Sequence, residues 1–309
     1  MTRARSGSRA AATLGVAAAA AVVWGTVIER QLFTVRRHTL PVLPAGAAPV
    51  RVLQLSDLHL APWQRRKTDW VRSLAGLNPD LVVTTGDLMG HTEALPTLRR
   101  ALEPFSGLPG VFVHGSNDYY GPILKNPMKY LREPSRKATR AQDIDNGAVT
   151  ALLRDEVGLV DLNNAAARLT VRGTELELAG LNDPHIGYDR PDEMRSAIAA
   201  LPEAADPVRI GVVHAPYQAS LGALLNAGSD LILAGHTHGG QVQIPGVGAL
   251  TTNCDLPNEQ ARGLSVWFDA HRAAFLNVSA GLGTSIYAPV RFACRPEASL
   301  LILEPVPED

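Results

Sequence analysis

Between residues 50 and 118 three apolar runs, VRVLQLSD (50–57), DLVVTTGD (80–87) and VFVHGSND (111–118), alternate with two stretches of helical spacing. In the first stretch, 64–77, Trp70, Val71, Leu74 and Leu77 share one face and Asn78-Pro79 stops the helix. In the second, Leu95, Leu98, Leu102 and Phe105 recur at three- and four-residue intervals. The order strand, helix, strand, helix, strand predicts parallel pairing with right-handed crossovers. Later runs, LTVRG, ELELAGL, RIGVVHAP, DLILAGH, FLNVSAG and SLLILE, read as short strands often separated by turns. The mixture predicts an α/β body of two packed sheets with helices on the outer faces.

Each early strand ends in polar residues: Ser56-Asp57-Leu58-His59, Gly86-Asp87 and Gly115-Ser116-Asn117-Asp118. His214 and the stretch from Gly235 to Gln241 end two later strands in the same way. Carboxyl ends of strands in open α/β sheets converge on one crevice, so these turns are expected to meet. Asp57 and His59, like His236 and His238, are alternate residues, which on extended chain would face one side. Imidazole and carboxylate without thiolate suits Mn, Fe, Zn or Ni, and Asp87 could bridge two ions. D-x-H or G-D alone is a weak signal, since such residues commonly serve as turns. Five such elements in order point to a dinuclear metal site.

These motifs resemble the calcineurin-like metallophosphoesterases over roughly residues 50 to 305: D-x-H (57–59), G-D (86–87), GSND (115–118) in place of G-N-H-D, His214, and GHTH (235–238). GHTHGGQ, and GLGTS followed by Arg291 and Pro296-Glu297, are similar to a membrane-anchored bacterial branch of that family. The resemblance implies a four-layer α/β/β/α sandwich and two divalent ions. It places Asp57, His59 and His238 on the first metal and Asp87 as the bridge. His214 and His236, with an amide from the GSND turn, would hold the second. It further implies in-line attack on phosphorus by a bridging hydroxide, with Asp87, Asn117 and His238 at the chemistry.

The altered turn leaves a choice. Aligned without a gap, Ser116 falls where the family has a ligand Asn and Asn117 where it has an assisting His. A local shift that puts the Asn117 amide on the metal is preferred to ligation by Ser116. The usual acid His is absent either way, which predicts a preference for activated esters. His114 and His91 are candidates to replace it, or are structural. After the turn, Lys125, Lys129, Arg132, Arg136, Lys137 and Arg140, interleaved with Tyr119, Tyr120 and Tyr130, make either a lid facing an anionic substrate or a solvated surface.

The N-terminal segment reads separately. Arg3, Arg5 and Arg9 precede an uncharged run from Ala10 to Ile28 with Trp24 near its far end, followed by Arg30, Arg36 and Arg37. An uncleaved single-pass anchor is preferred to a cleaved signal peptide or a soluble Ala-rich helix, with the catalytic part outside the cytoplasm. The expected divisions are a basic segment and anchor over 1–30, a linker over 31–49 marked by Pro41 and Pro44, and the catalytic domain over 50–309. Apolar residues at 46% and charged ones at 19% fit a globular body, and a net charge of −1 gives no general attraction to nucleic acid. Cys254 and Cys294 could pair or stay as two buried thiols. The function expected is hydrolysis of a phosphoester, with phosphodiesters favoured. One alternative is a phospholipid or nucleotide-linked lipid pyrophosphate as substrate, and another is a metal-containing sensor of phosphorylated ligands. Nothing in the sequence fixes the oligomeric state.

Overall fold

The computed structural model describes residues 2–123, 141–203 and 207–307. The first sheet takes strands β1 (Thr34–Leu43), β2 (Val50–Leu55), β3 (Leu81–Thr84), β4 (Gly110–Phe112) and β5 (Val160–Asp161), with β14 (Glu297–Pro305) from the C-terminal end. Its order is β1-β14-β2-β3-β4-β5. The second takes β6 (Ala165–Val171), β7 (Thr174–Leu181), β8 (Val208–Val213), β9 (Leu231–Ala234), β12 (Gly263–Phe268) and β13 (Ala273–Val278) in the order β12-β13-β9-β8-β7-β6. A short ribbon, β10 (Gln243–Ile244) with β11 (Gly248–Ala249), stands apart.

As the alternation requires, β2, β3 and β4 pair in parallel. Helix α2 (Arg65–Ser73) connects the first two of them and α3 (Leu95–Leu102) the second two. Asn78 ends the first crossover in the left-handed region with φ 48°, which the short polar side chain of Asn tolerates.

The layers follow from which strand residues pack where. Val52, Val83, Val111 and Leu301 of the first sheet meet Leu178, Ile210 and Leu233 of the second in a core between the sheets. Their alternates Leu53, Leu55, Val82 and Phe112 pack instead on Val71, Leu98 and Leu102 of the outer helices. On the far side, Leu181, Val213, Ile232 and Leu276 pack against Met194 of α5 (Pro191–Ala199) and Leu221 and Leu225 of α6 (Gln218–Asn226). Helix α4 (Asn146–Ala151), N-capped by Asp145, completes the first outer layer through Val149. The result is a four-layer α/β/β/α sandwich.

The expected linker over 31–49 is corrected. Residues 34–43 are β1, parallel to β14 from Thr34 opposite Glu297 to Leu43 opposite Pro305. Pro41 suggested a linker because proline cannot donate to a ladder, but β1 is an edge strand, where that donor is not required. Of the expected linker, residues 32–33 and the turn near 44–49 remain outside regular structure. Upstream, α1 (Thr2–Val23) continues as a π-turn over Trp24–Ile28 and a 3-10 turn over Glu29–Gln31. Thr13–Gln31 is the one helix among the described residues that is long and apolar enough to cross a membrane, with mean hydropathy 1.3 and only 11% of it buried.

Candidate metal centre

Six side chains predicted from the motifs come together at the carboxyl ends of β2, β3, β8 and β9. His59 Nε2 lies 3.2 Å from His238 Nε2 and 3.4 Å from Asp87 Oδ2. His238 Nε2 lies 3.7 Å from Asp57 Oδ1, and His214 Nε2 lies 3.6 Å from Asp87 Oδ2. His236 Nδ1 stands 3.3 Å from His214 Nε2. Two clusters result, Asp57, His59 and His238, and Asp57, Asp87 and His214, each with its donor atoms within 4.8 Å of one another. Ligand bonds of about 2.0–2.2 Å place neighbouring donors about 3–3.6 Å apart, so the spacing suits divalent ions.

The backbone that achieves this is not extended. Asp57 (φ 48°), His59 (φ 39°), Asp87 (φ 53°), His236 (φ 68°) and His238 (φ 50°) all adopt left-handed conformations. The expected alternation along a strand is therefore corrected: the side chains converge because tight turns begin where the strands stop. Asp and His tolerate this region better than most residues, and such strain concentrates where surrounding structure holds it. Asp57 N donates to the Gly86 carbonyl at 2.9 Å and His59 N to the Asp87 carbonyl at 3.0 Å, tying two of the turns together. At Gly115 and Gly235 a Cβ would run into the Asp87 and Asp57 carboxylates respectively, so these glycines are what allow the turns to close.

Hydrogen bonds orient the cluster. His214 Nδ1 donates to the Thr85 carbonyl at 2.7 Å, turning Nε2 toward Asp87. Asp57 Oδ2 accepts from Ser56 Oγ at 2.5 Å and from His236 N at 3.0 Å. Its Oδ1, also buried, has no hydrogen-bond partner and faces His59 and His238 from beyond hydrogen-bond range. Burial without a donor is costly for a carboxylate oxygen, and a cation among these three groups removes the cost.

Burial dominates the acid–base behaviour. It raises the Asp57 carboxyl to about 6, lowers His59 to about 4, and holds His236 and His238 well below the usual imidazole value. Burial also opposes charge on His214 and Asp87. For His214 it is outweighed by Asp87, Asp183 and Asp57, which bring the imidazole to about 9. For Asp87 it is outweighed by His214, His59 and the Asn117 hydrogen bonds, which hold the carboxyl well below its usual range.

The GSND turn brings Asn117 to the cluster. Asn117 N donates to Asp87 Oδ1 at 2.7 Å and its side-chain amide to Oδ2 at 2.8 Å, while the Ser116 carbonyl receives the Tyr120 N–H at 2.9 Å. Asp118 serves the scaffold, accepting from Leu88 N and Gly115 N, each at 2.9 Å. His114 and His91 are not in the cluster. The His114 Nε2 pairs with Thr150 Oγ1 at 2.9 Å, and His91 packs edge-on against Trp63. Lys125, Lys129, Tyr130, Arg132, Arg136, Lys137 and Arg140 of the expected lid lie outside the described residues. Cys254 and Cys294 are free thiols, with no bridge between them.

The model of the calcineurin-like phosphoesterases matches residues 50–240. The chain belongs to that family. It is a metallophosphoesterase, a hydrolase of phosphoric esters, and its Asp/His clusters could hold divalent metal. It is similar to a bovine transmembrane protein with a metallophosphoesterase domain, 28% identical over 86% of this chain and 55% of the relative. The chain thus spans about half the length of that protein. It is 26% identical to the phosphodiesterase YaeI of Escherichia coli over 88% of each chain. To the UDP-2,3-diacylglucosamine pyrophosphatase LpxG of Chlamydia trachomatis it is 25% identical over 90% of this chain and 92% of the relative. The N-terminal helix and the transmembrane relative together suggest membrane association.

Several neighbours of the cluster were not legible as functional. The His185 ring stands 4.5 Å from that of His236 and its Nδ1 is 3.0 Å from Tyr217 Oη. His236 Nε2 lies 3.2 Å from the Asn253 carbonyl. Arg291, noted in the sequence without a role, is fully buried and donates to the carbonyls of Ala280 at 2.7 Å and Gly283 at 2.6 Å, with Nη2 3.4 Å from His238 Nδ1. His185 comes four residues after the end of β7, as His59 does after β2, so its place at a strand end was a usable signal, whereas Asn253 follows no named strand end directly. A His two residues after a helix-capping Asp, as in Asp183-Pro184-His185, carries no catalytic signature by itself.

Proposed function

We propose that this metallophosphoesterase hydrolyses phosphodiesters with two divalent ions. Asp57, His59 and His238 would hold one, His214, His236 and Asn117 the other, and Asp87 both. The observation that carries this reading is the buried, unpartnered Asp57 Oδ1 facing two imidazole nitrogens, beside a second cluster that shares Asp57. With only imidazole, carboxylate and amide donors, Mn, Fe, Zn or Ni suit the set. Ions held there would make a water acidic enough to ionise near neutral pH and would offset charge on the phosphoryl oxygens.

The protein's own groups do the rest. Ser56 and the His236 N–H fix the Asp57 carboxylate, and Thr85 fixes the His214 tautomer. Asn117 anchors Asp87 but has no proton to give a leaving group, unlike a histidine. This supports a preference for esters whose leaving group departs without protonation. The test is a leaving-group series of aryl phosphodiesters against the matching monoesters, with Mn-loaded protein. Rates independent of leaving-group pKa would remove the preference.

A lipid-linked substrate is a second reading, favoured by the apolar Thr13–Gln31 helix and by a relative whose named substrate carries two acyl chains. In this reading the helix spans the membrane and the body lies outside the cytoplasm. Arg3, Arg5 and Arg9 lie on one side of the apolar span and Arg30, Arg36 and Arg37 on the other, so the count of basic residues does not select the orientation. Protease or epitope accessibility on intact cells tests the orientation.

A further inference from the structure

Where the apolar helix meets the body, a cavity of about 220 Å³ opens beside the metal centre. Arg30 and Gln31, at the helix end, form one wall, and Trp63, Arg65, Arg66 and Lys67 around the start of α2 form another. Three of the lining side chains are arginines and none is acidic; burial, with Arg291 and Arg30, lowers the amine of the fourth basic group, Lys67, to about 7. The charges are largely uncompensated: Arg30, Arg65 and Arg66 form no ion pair among the described residues, and Arg30 Nε is buried without a partner. Lys67 is the exception, since its amine is spent on the carbonyls of Leu58 at 2.5 Å and His59 at 3.1 Å. A small cavity with a positive wall and an unpaired buried donor is built for a compact oxyanion, below the size of most drug-like ligand sites.

Its place in the molecule selects among oxyanions. Val23, Trp24, Val27 and Ile28 expose 52%, 43%, 59% and 41% of their surface on the helix that ends at the cavity. On the body, Trp63 at the cavity rim is 61% exposed, a placement that suits a Trp ring lying between apolar and polar surroundings. Cations beside the end of a spanning helix face the phosphates of the bilayer surface. We propose that this cavity binds the phosphate of an anionic phospholipid headgroup and seats the catalytic body on the membrane. The proposal rests on the reading that Thr13–Gln31 is inserted in the bilayer. None of the predicted metal-binding side chains lines the cavity, but Lys67 and Gly283 in its walls touch the backbone and Cβ surroundings of His59. A lipid bound there would lie against the turn that carries a metal ligand while leaving the metal cluster free for substrate.

The full chain in maltoside micelles, titrated calorimetrically with short-chain phosphatidylglycerol, short-chain phosphatidylcholine and inorganic phosphate, tests this. The expected result is binding of phosphatidylglycerol that weakens about tenfold or more in the exposed double variant R65E/R66E, with phosphatidylcholine binding weak in both. Equal binding of the two lipids, or phosphatidylglycerol binding unchanged in R65E/R66E, overturns the proposal. Inorganic phosphate binding as tightly as the anionic lipid also overturns it, in favour of a soluble phosphate occupant. Membrane sedimentation of the wild-type chain reads the anchor separately. A chain that stays in the supernatant defeats the insertion reading, whereas a chain that sediments but fails the lipid titration defeats only the headgroup site.

Discussion

The Glu29 carboxylate accepts the Cys294 N–H at 2.7 Å, joining the end of the N-terminal helix to a loop 265 residues away. The same carboxylate receives Ala293 N at 3.1 Å and Trp24 Nε1 at 2.6 Å, and Arg291 N donates to the Gly25 carbonyl at 3.0 Å. Arg291 in turn lies against His238. The helix end is therefore a support of the metal centre as well as a connection to it.

Replacing Glu29 by Ala leaves the buried Cys294 N–H unpaired, a loss of about 1–3 kcal/mol. Denaturant unfolding in micelles should show that loss, and equilibrium dialysis should show weaker divalent-metal binding through the displaced Arg291. Unchanged metal affinity would disconnect the helix end from the site. By the same reasoning a chain started at Ala45 lacks both Glu29 and β1, exposes the edge of β14, and should be poorly soluble.

Gly115→Ala should separate folding from metal binding. Gly115 has an ordinary φ of −109°, so alanine introduces no backbone strain, but its Cβ would strike the Asp87 carboxylate and the His214 ring. The expected outcome is a variant with a near-native circular dichroism spectrum and a large loss of bound metal. Retention of full metal content would show that the close approach of this turn to Asp87 is not required.

Asn117→His should restore a proton donor beside Asp87. For poor leaving groups general-acid assistance contributes on the order of 100- to 10,000-fold, and the gain should shrink as the leaving group improves. A leaving-group series on the variant and wild type, at matched metal loading, reads this directly. Equal acceleration of good and poor leaving groups would assign the change to altered metal binding.

Both thiols should be slow to react in the folded protein. Burial raises the Cys254 thiol from 9.0 to about 11, which cuts the thiolate at pH 8 by about a hundredfold. Cys294 is fully buried. Thiol titration should therefore count both cysteines rapidly only after unfolding. Rapid native labelling of either would mean that its surroundings open in solution.

Much of the site was legible because Asp57, Asp87, His214 and His236 each lie within three residues of a strand end, two on each of the two packed sheets. What alternation could not give was the conformation. A left-handed residue at Asp57 or His236 leaves no periodic trace, although the bordering glycines hinted at crowding. β1 was hidden by Pro41, since edge strands and linkers both accept proline. The support from Arg291 and Glu29 was hidden for a different reason: it depends on contacts between segments more than 250 positions apart. His185 and Asn253 reach His236 over much shorter separations, 17 positions for Asn253, and neither sits in a metal-ligand motif of the sequence.

The central claim is a two-metal hydrolase whose ions share Asp87. The most direct test measures bound Mn per chain by equilibrium dialysis, together with hydrolysis of an aryl phosphodiester, in the full-length protein and in Asp87→Asn. The account predicts two ions and turnover in the wild type, with loss of at least one ion and of turnover in the variant. Full turnover by Asp87→Asn, or by wild type stripped of metal with a chelator, would contradict it.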